Sequence, residues 1–264
     1  MDGESATPSA PPATPPPSLS LVIPAYNEEE RVAATVAAAL AYLTSRPYAS
    51  ELLLVDDGST DATAERARRA VAGHPAARVL SIPHGGKAVA LRAGMRAAAM
   101  DQVAFCDADL ATPLPYLEEL RKALAGGCQM AIGSREGVGA RRVGEPTYRH
   151  LMGRAFNWLV RLLLLPGIQD TQCGFKLFRR EAAAAILGRA RLYAEPSETI
   201  VGPRVTAFDV ELLVVARRLG YRVCPVPVVW TYGERSKVHP ARDTWQNLRD
   251  VVRVRVNAWH GRYG

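Results

Sequence analysis

Apolar residues in this chain gather in short unbroken runs that do not alternate with polar ones. Residues 19–25 (LSLVIPA), 51–55 leading into DDGSTD, 77–83 (ARVLSIP) and 102–106 leading into DADL are runs of this kind, and each stops at a polar cluster. Helix-forming stretches separate them: an Ala-rich segment at 28–43, DATAERARRAVA at 61–72, and KAVALRAGMRAAA at 87–99 behind Gly85 and Gly86. Strands buried on both faces read as continuous apolar runs, and strands alternating with helices build a parallel sheet covered on both sides. The first half therefore predicts a doubly wound, mostly parallel α/β unit. Ser59 or Thr60 stands where it would cap the helix at 61–72.

The second half is less regular. A strand is expected at 128–136, ending in Gly133, then a Gly- and Arg-rich loop to Pro146 and a helix over 147–165. Residues 170–181 read as a turn, a short strand and a helix start, 208–220 as a helix closed by Gly220, 221–230 as a strand, and about 243–259 as a last, amphipathic helix.

In sheets of this kind ligands bind beyond the carboxyl ends of the strands. The clusters PAYNEEE, DDGSTD, HGGK and DAD should then meet along one edge. In the last of these, Asp107 and Asp109 flank Ala108. Like charges so placed raise each other's pKa unless a cation lies between them. Hard carboxylate oxygens suit Mg²⁺ or Mn²⁺ shared with the phosphates of a nucleotide; solvated loop aspartates or helix caps before Pro113 are the plainer alternative. Asp56 and Asp57 form a second acidic strand end, equally readable as a turn. No G-x-G-x-x-G follows the first strand, and HGGKAVAL lacks the spacing and the Ser or Thr of a phosphate-binding loop.

Composition narrows the class. With 264 residues, 48% hydrophobic and 22% charged, the chain has the make-up of a soluble globular protein, expected as one domain over 19–264 behind a disordered Pro-, Ala- and Ser-rich leader at 1–18 that lacks the apolar core of a secretory signal. No run reaches the roughly 18 apolar residues of a spanning helix. Lys and Arg total 33 against 26 Asp and Glu, a formal charge of +7 that suits phosphate-bearing ligands, nucleic acid or an anionic membrane. The four cysteines contain no C-x-x-C pair and are expected as reduced thiols of a cytosolic protein.

The ordered set VIPAYNEEE, VDDGSTDAT, GGKAVALRAGM, DAD and GSRE resembles the family 2 glycosyltransferases of the GT-A fold, over residues 19–136. DTQCGFKLFRRE, FDVELLVVARRLGYRVCPVPVVW and the segment from GERSKV to VRVRVN are similar to the polyprenyl-phosphate branch, most of all to dolichyl-phosphate β-glucosyltransferases. Eukaryotic relatives usually begin with a membrane-spanning helix where this chain has its leader.

The resemblance implies an inverting, metal-dependent transfer of glucose from UDP-glucose to a polyprenyl phosphate. Residues 19–136 would hold the donor and 137–264 the acceptor, at the cytoplasmic face of a membrane. Mannosyl transfer from GDP-mannose, or transfer to a hydroxyl, are alternatives. A non-catalytic domain binding anions or nucleic acid is the distant one, because a basic footprint alone does not put carboxylates at strand ends.

Carried over by position, Pro24, Ala25, Tyr26, Asn27 and Glu28 would line the nucleotide pocket, with Asp57 or Asp56 on the base and Lys87 near the phosphates. Asp107 and Ala108 would face ribose and sugar, Asp109 would be the main metal ligand with Asp107 beside it, and Gln172 and Lys176 would contact substrate. Arg135 and Arg149 match the pair expected to grip the acceptor phosphate, with Arg141 and Arg142 assisting or merely solvated.

Asp209 and Glu211 read as a polar helix start, or as a base if the acceptor is a hydroxyl. Basic charge concentrates at 135–161 and 234–264. In the last helix Trp245, Leu248, Val252, Val256 and Trp259 recur at helical spacing among arginines, a pattern of either an interfacial helix or a core-packed one with a basic outer face.

Overall fold

The computed structural model describes residues 15–194, 206–233 and 240–264. The four apolar runs become β1 (Leu19–Ala25), β2 (Ser50–Asp56), β3 (Ala77–Ser81) and β4 (Gln102–Phe105), joined by α1 (Val32–Thr44), α2 (Thr63–Val71) and α3 (Lys87–Ala97). After them come α4 (Tyr116–Ala125), which the motif reading passes over, β5 (Met130–Ser134), β6 (Arg141–Val143), α5 (Thr147–Leu163), β7 (Lys176–Arg179), α6 (Arg180–Arg189), α7 (Phe208–Arg218), β8 (Val223–Pro227), β9 (Val229–Thr231) and α8 (Pro240–Trp259).

Successive side chains of a strand point to opposite faces. Leu21, Ile23, Leu52, Leu54 and Ala104 pack with α1, α2 and α4, whereas Val22, Leu53, Val55, Val103 and Phe105 pack with α3 and with α5 to α8. Because both faces are covered, the strand sequence is apolar throughout. Gly94 lets α3 lie close on the sheet, since a Cβ there would come within 2.3 Å of Val22 Cγ1.

The main sheet has the order β3-β2-β1-β4-β7-β5-β8. Its strands run parallel except β7, which is antiparallel to both β4 and β5. Strands 2 and 3 are laid down on one side of β1 and β4 on the other, so the chain switches direction between β1 and β4. Their following loops open next to each other, the crevice where such sheets bind ligands.

Several expectations are corrected. The acidic run Glu28–Glu30 makes a turn, with the Arg31 and Val32 amides on Glu28 O, so α1 starts at Val32. Neither Ser59 nor Thr60 caps α2: Ser59 Oγ accepts from the Asn27 amide at 3.0 Å, the Thr60 amide donates to Asn27 Oδ1 at 2.9 Å, and Asp61 meets the Thr63 amide instead. The hydroxyls and Asn27, at φ 52°, thus lace the loops after β1 and β2 together. The loop before Pro146 contains β6, which pairs with β9, so the expected strand at 221–230 is broken at buried Val228.

The leader is anchored at its end: Ser18 binds Asp101, and Pro17 O accepts from Arg121. Residues 1–14 lie outside the described ones. The expectation of four thiols also fails. Cys128, before β5, forms a disulfide with Cys224 on the neighbouring β8, while Cys106 and Cys173 are free and buried. The bond is invisible to spacing because 96 residues separate partners that only sheet pairing brings together.

Candidate active site

At the switch point lies a cavity of about 510 Å³. Its walls include Pro24, Ala25, Tyr26 and Glu28 from the β1 loop, Asp57 from the β2 loop, Lys87 at the start of α3, and Asp107, Ala108 and Asp109 from the β4 loop. Arg135, Arg142, Arg149 and Gln172 complete it from the second half. The polar strand ends named from sequence therefore share one cleft. Asn27, Asp56 and Lys176 do not line it. Asn27 braces the β2 loop, Asp56 accepts from the Ser59 amide at 3.2 Å, and Lys176 is fully buried in a central strand, donating to Cys173 O and Asp209.

Asp57, 2% exposed, accepts from the Gly85 and Gly86 amides at 2.9 and 2.8 Å and contacts His84 Nδ1 at 2.8 Å. Burial pushes its pKa up, held in check by those donors. His84 stacks on Tyr26, ring centroids 3.9 Å apart and 8° from parallel. Gly58, at φ 64°, permits this approach, because a Cβ there would stand 2.6 Å from the His84 amide nitrogen. The sequence signal for His84 is its place at the end of the third apolar run.

The β4 loop is held from outside and from within. Thr35 Oγ1 on α1 donates to Ala108 O at 2.6 Å, the Ala111 amide donates to Asp109 Oδ1 at 3.0 Å, and Leu110 sits at φ 49°, a backbone region rare outside glycine. Lys87 ion-pairs with Asp107. Burial alone would lower the Lys87 pKa, but Asp107, Asp209 and Asp109 together hold it above its usual value. For Asp109, desolvation by the cavity wall and then the Asp107 charge raise the carboxyl pKa from its usual value. A divalent cation bound there would relieve that crowding. Among the described residues no three His, Cys, Asp or Glu side chains are grouped to hold a metal unaided. Two carboxylates with hard oxygens therefore fit an ion whose other ligands come from a bound diphosphate.

Arg135 makes a bidentate pair with Asp170, Nε to Oδ2 at 2.7 Å and Nη2 to Oδ1 at 2.9 Å, and its amide also donates to Oδ2. Asp170 is 1% exposed; burial would raise its pKa, but Arg135 holds it well below the carboxylate range. Arg142 is not a solvated surface residue: it pairs with Glu145 at 2.8 Å and Glu136 at 3.1 Å. Arg141 is exposed. Glu211 is fully buried and accepts from the Leu192 amide and from Tyr263 Oη, a structural role, while Asp209 pairs with Lys176 at the cavity wall. Sequence reasoning missed Asp170, Gly174 and Trp230, although all three lie inside segments it quoted, and Tyr232, which falls between two of them.

A parallel-sheet cleft that gathers paired aspartates, a lysine and arginines is the arrangement of a GT-A glycosyltransferase. The solved glucosyl-3-phosphoglycerate synthase of Mycobacterium tuberculosis, in complex with phosphoglyceric acid, matches at a TM-score of 0.63 with 22% identity, over 90% of this chain and 80% of that one. The same enzyme with Mg²⁺ and UDP matches at 0.62, with 22% identity, over 90% and 79%. The family model for glycosyl transferase family 2 covers residues 20–187, and the chain belongs to that family. Human dolichyl-phosphate beta-glucosyltransferase is 36% identical over 90% of this chain and 75% of its own length, and the Drosophila melanogaster protein of that name is 35% identical over 91% and 76%. Glycosyltransferase AglD of Haloferax volcanii is 36% identical over 90% of this chain and 38% of its own length.

Proposed function

We propose that this glycosyltransferase moves glucose from UDP-glucose to the phosphate of a dolichyl-type polyprenyl lipid, with inversion, at the cytoplasmic face of a membrane. The observation that carries the reading is the shared cavity, in which Lys87, Asp107 and Asp109 stand with Arg135 and Arg149. The names of the relatives supply the sugar and the lipid. Tyr26, Asp57 and His84 belong to the nucleotide, and Asp107 and Asp109 would hold Mg²⁺ or Mn²⁺. When bound, that ion neutralises charge developing on the departing diphosphate. Lys87 adds a fixed positive charge to the same end.

A lipid phosphate is ionised at neutral pH, so attack needs no strong base. The harder task is bringing two anions together, and Arg135 and Arg149 do so with planar donors suited to phosphate. Among the described residues no helix is long and apolar enough to cross a membrane. Contact with the bilayer is therefore proposed as peripheral, through exposed apolar side chains of α5 and α8.

The test is incubation with radiolabelled UDP-glucose and a short polyprenyl phosphate, with and without EDTA. Label should enter the organic phase only with metal present, and Asp109→Ala and Arg135→Ala should each abolish it. Label from GDP-mannose in its place, or undiminished label with EDTA, would overturn the donor or the metal assignment.

A further inference from the structure

The two arginines given to the acceptor phosphate do not stand alone. Arg135 Cζ lies 5.3 Å from the ring centroid of Trp230, and Arg149 Cζ lies 5.3 Å from that of Tyr232. The rings are themselves neighbours, 6.0 Å apart. Trp230 is in β9 and Tyr232 follows it directly; residues two apart on an extended chain share a face. One short strand thus presents both rings to two cations that come from different elements, Arg135 after β5 and Arg149 on α5.

The strand is fixed at both its edges. Thr231 N donates to Ala111 O at 2.9 Å, and Tyr232 N donates to Val143 O at 2.8 Å. The first bond ties it to the loop carrying Asp109, and a Cβ added at Gly233 would stand 3.6 Å from Asp109 Oδ2. We infer that Trp230 and Tyr232 form an aromatic platform that positions Arg135 and Arg149 for the acceptor phosphate and sets their place relative to the donor loop. They are positioning residues: each ring face attracts a guanidinium and restricts its tilt without itself taking up an N–H donor. Asp170 complements the platform by taking Nε and Nη2 of Arg135, which leaves the Nη1 edge to the cavity ligand.

The inference rests on the acceptor reading above, so the experiment separates the two. Trp230→Leu and Tyr232→Leu are compared with Trp230→Tyr and Tyr232→Phe. Three readouts are taken: KM for a short polyprenyl phosphate, calorimetric affinity for farnesyl phosphate, and affinity for UDP-glucose. Loss of one ring should raise KM and weaken farnesyl phosphate about threefold to tenfold, a cation–π interaction's worth. UDP-glucose affinity and thermal midpoint should hold, and the aromatic replacements should recover most of the loss. A KM unmoved by the leucines, UDP-glucose weakened in parallel, or aromatic replacements no better than leucine would sink the platform while leaving the transfer reaction intact. Farnesyl phosphate bound by the wild type and lost in the leucines, with no labelled lipid ever formed, would keep the platform and overturn the reaction; no binding and no product would overturn both.

Discussion

At Gly174 the absence of a side chain is what gives Asp107 its place. A Cβ there would lie 2.1 Å from Asp107 Oδ2 and 2.6 Å from its Cγ, so Gly174→Ala must displace the carboxylate. Misplacing a reacting group by about 1 Å costs on the order of 100-fold in rate. The proposed glucosyl transfer should fall by about that factor in Gly174→Ala, with circular dichroism and thermal midpoint close to wild type; unchanged turnover would show that Asp107 tolerates the move. Asp170 gives a second residue-level prediction. Its folded pKa is depressed, so its pair with Arg135 contributes fully above the unfolded aspartate value of about 3.9 and fades as pH falls through that value toward the folded one. Asp170→Asn should therefore lose stability at neutral pH and show a flatter acid limb in urea titrations between about pH 5 and pH 2. Chemistry at this scale was partly legible. DAD, HGGK and GSRE announced polar strand ends, because apolar runs that stop at charges are visible in one dimension. Asp170, Gly174 and Trp230 were not, because their importance lies in a neighbour brought up by the fold.

Among elements, the parallel unit through β4 was readable since β1, β2 and β4 are buried on both faces and a helix follows each strand. The second half was harder. β7 runs against its neighbours and places Lys176 opposite Phe105 and Ile132, which no local pattern reveals, and β9 is a three-residue strand held by an equally short β6. The Cys128–Cys224 bond belongs to this scale, since it fastens the edge strand β8 to the start of β5. Disulfides typically stabilise by about 2–4 kcal/mol, and the chain-entropy argument puts a loop of this length near the top of the range, at about 4–5 kcal/mol. Replacing both cysteines with serine should lower the urea midpoint accordingly, and adding a reductant should shift the wild type but not the double variant. Glucosyl transfer should suffer as well, because the chain leaving β8 runs on through β9 to Trp230 and Tyr232.

Over the described residues, most of the exposed large apolar side chains fall on α5 and α8, where arginines also gather. The sequence leaves α8 between a core-packed helix and an interfacial one; the structure gives it a buried face and an exposed one. Val251, Val254 and Ala258 enter the core, while Trp245, Val252, Val256 and Trp259 face outward beside Arg253 and Arg255. On α5, Val160 is buried, yet Tyr148, Leu151, Trp158 and Leu162 are all more than half exposed, and Arg154 and Arg161 stand among them. Met152, Gly153 and Phe156 of the same helix line the cavity with Arg149, so α5 carries both cavity-lining and outward apolar residues. Exposed apolar stripes flanked by arginine bind anionic interfaces through both burial and charge, and the charge part is screened as the Debye length falls from about 10 Å at 0.1 M salt to about 3 Å at 1 M. The protein should therefore float with anionic vesicles at low salt, less at high salt, and little with neutral ones. Leu151→Glu combined with Leu162→Glu places charge on the stripe away from the cavity lining. That variant should lose flotation and turn over vesicle-embedded polyprenyl phosphate poorly, yet act normally on a short detergent-solubilised acceptor; equal loss on both acceptors would assign the stripe to the active site itself and remove α5 from the membrane.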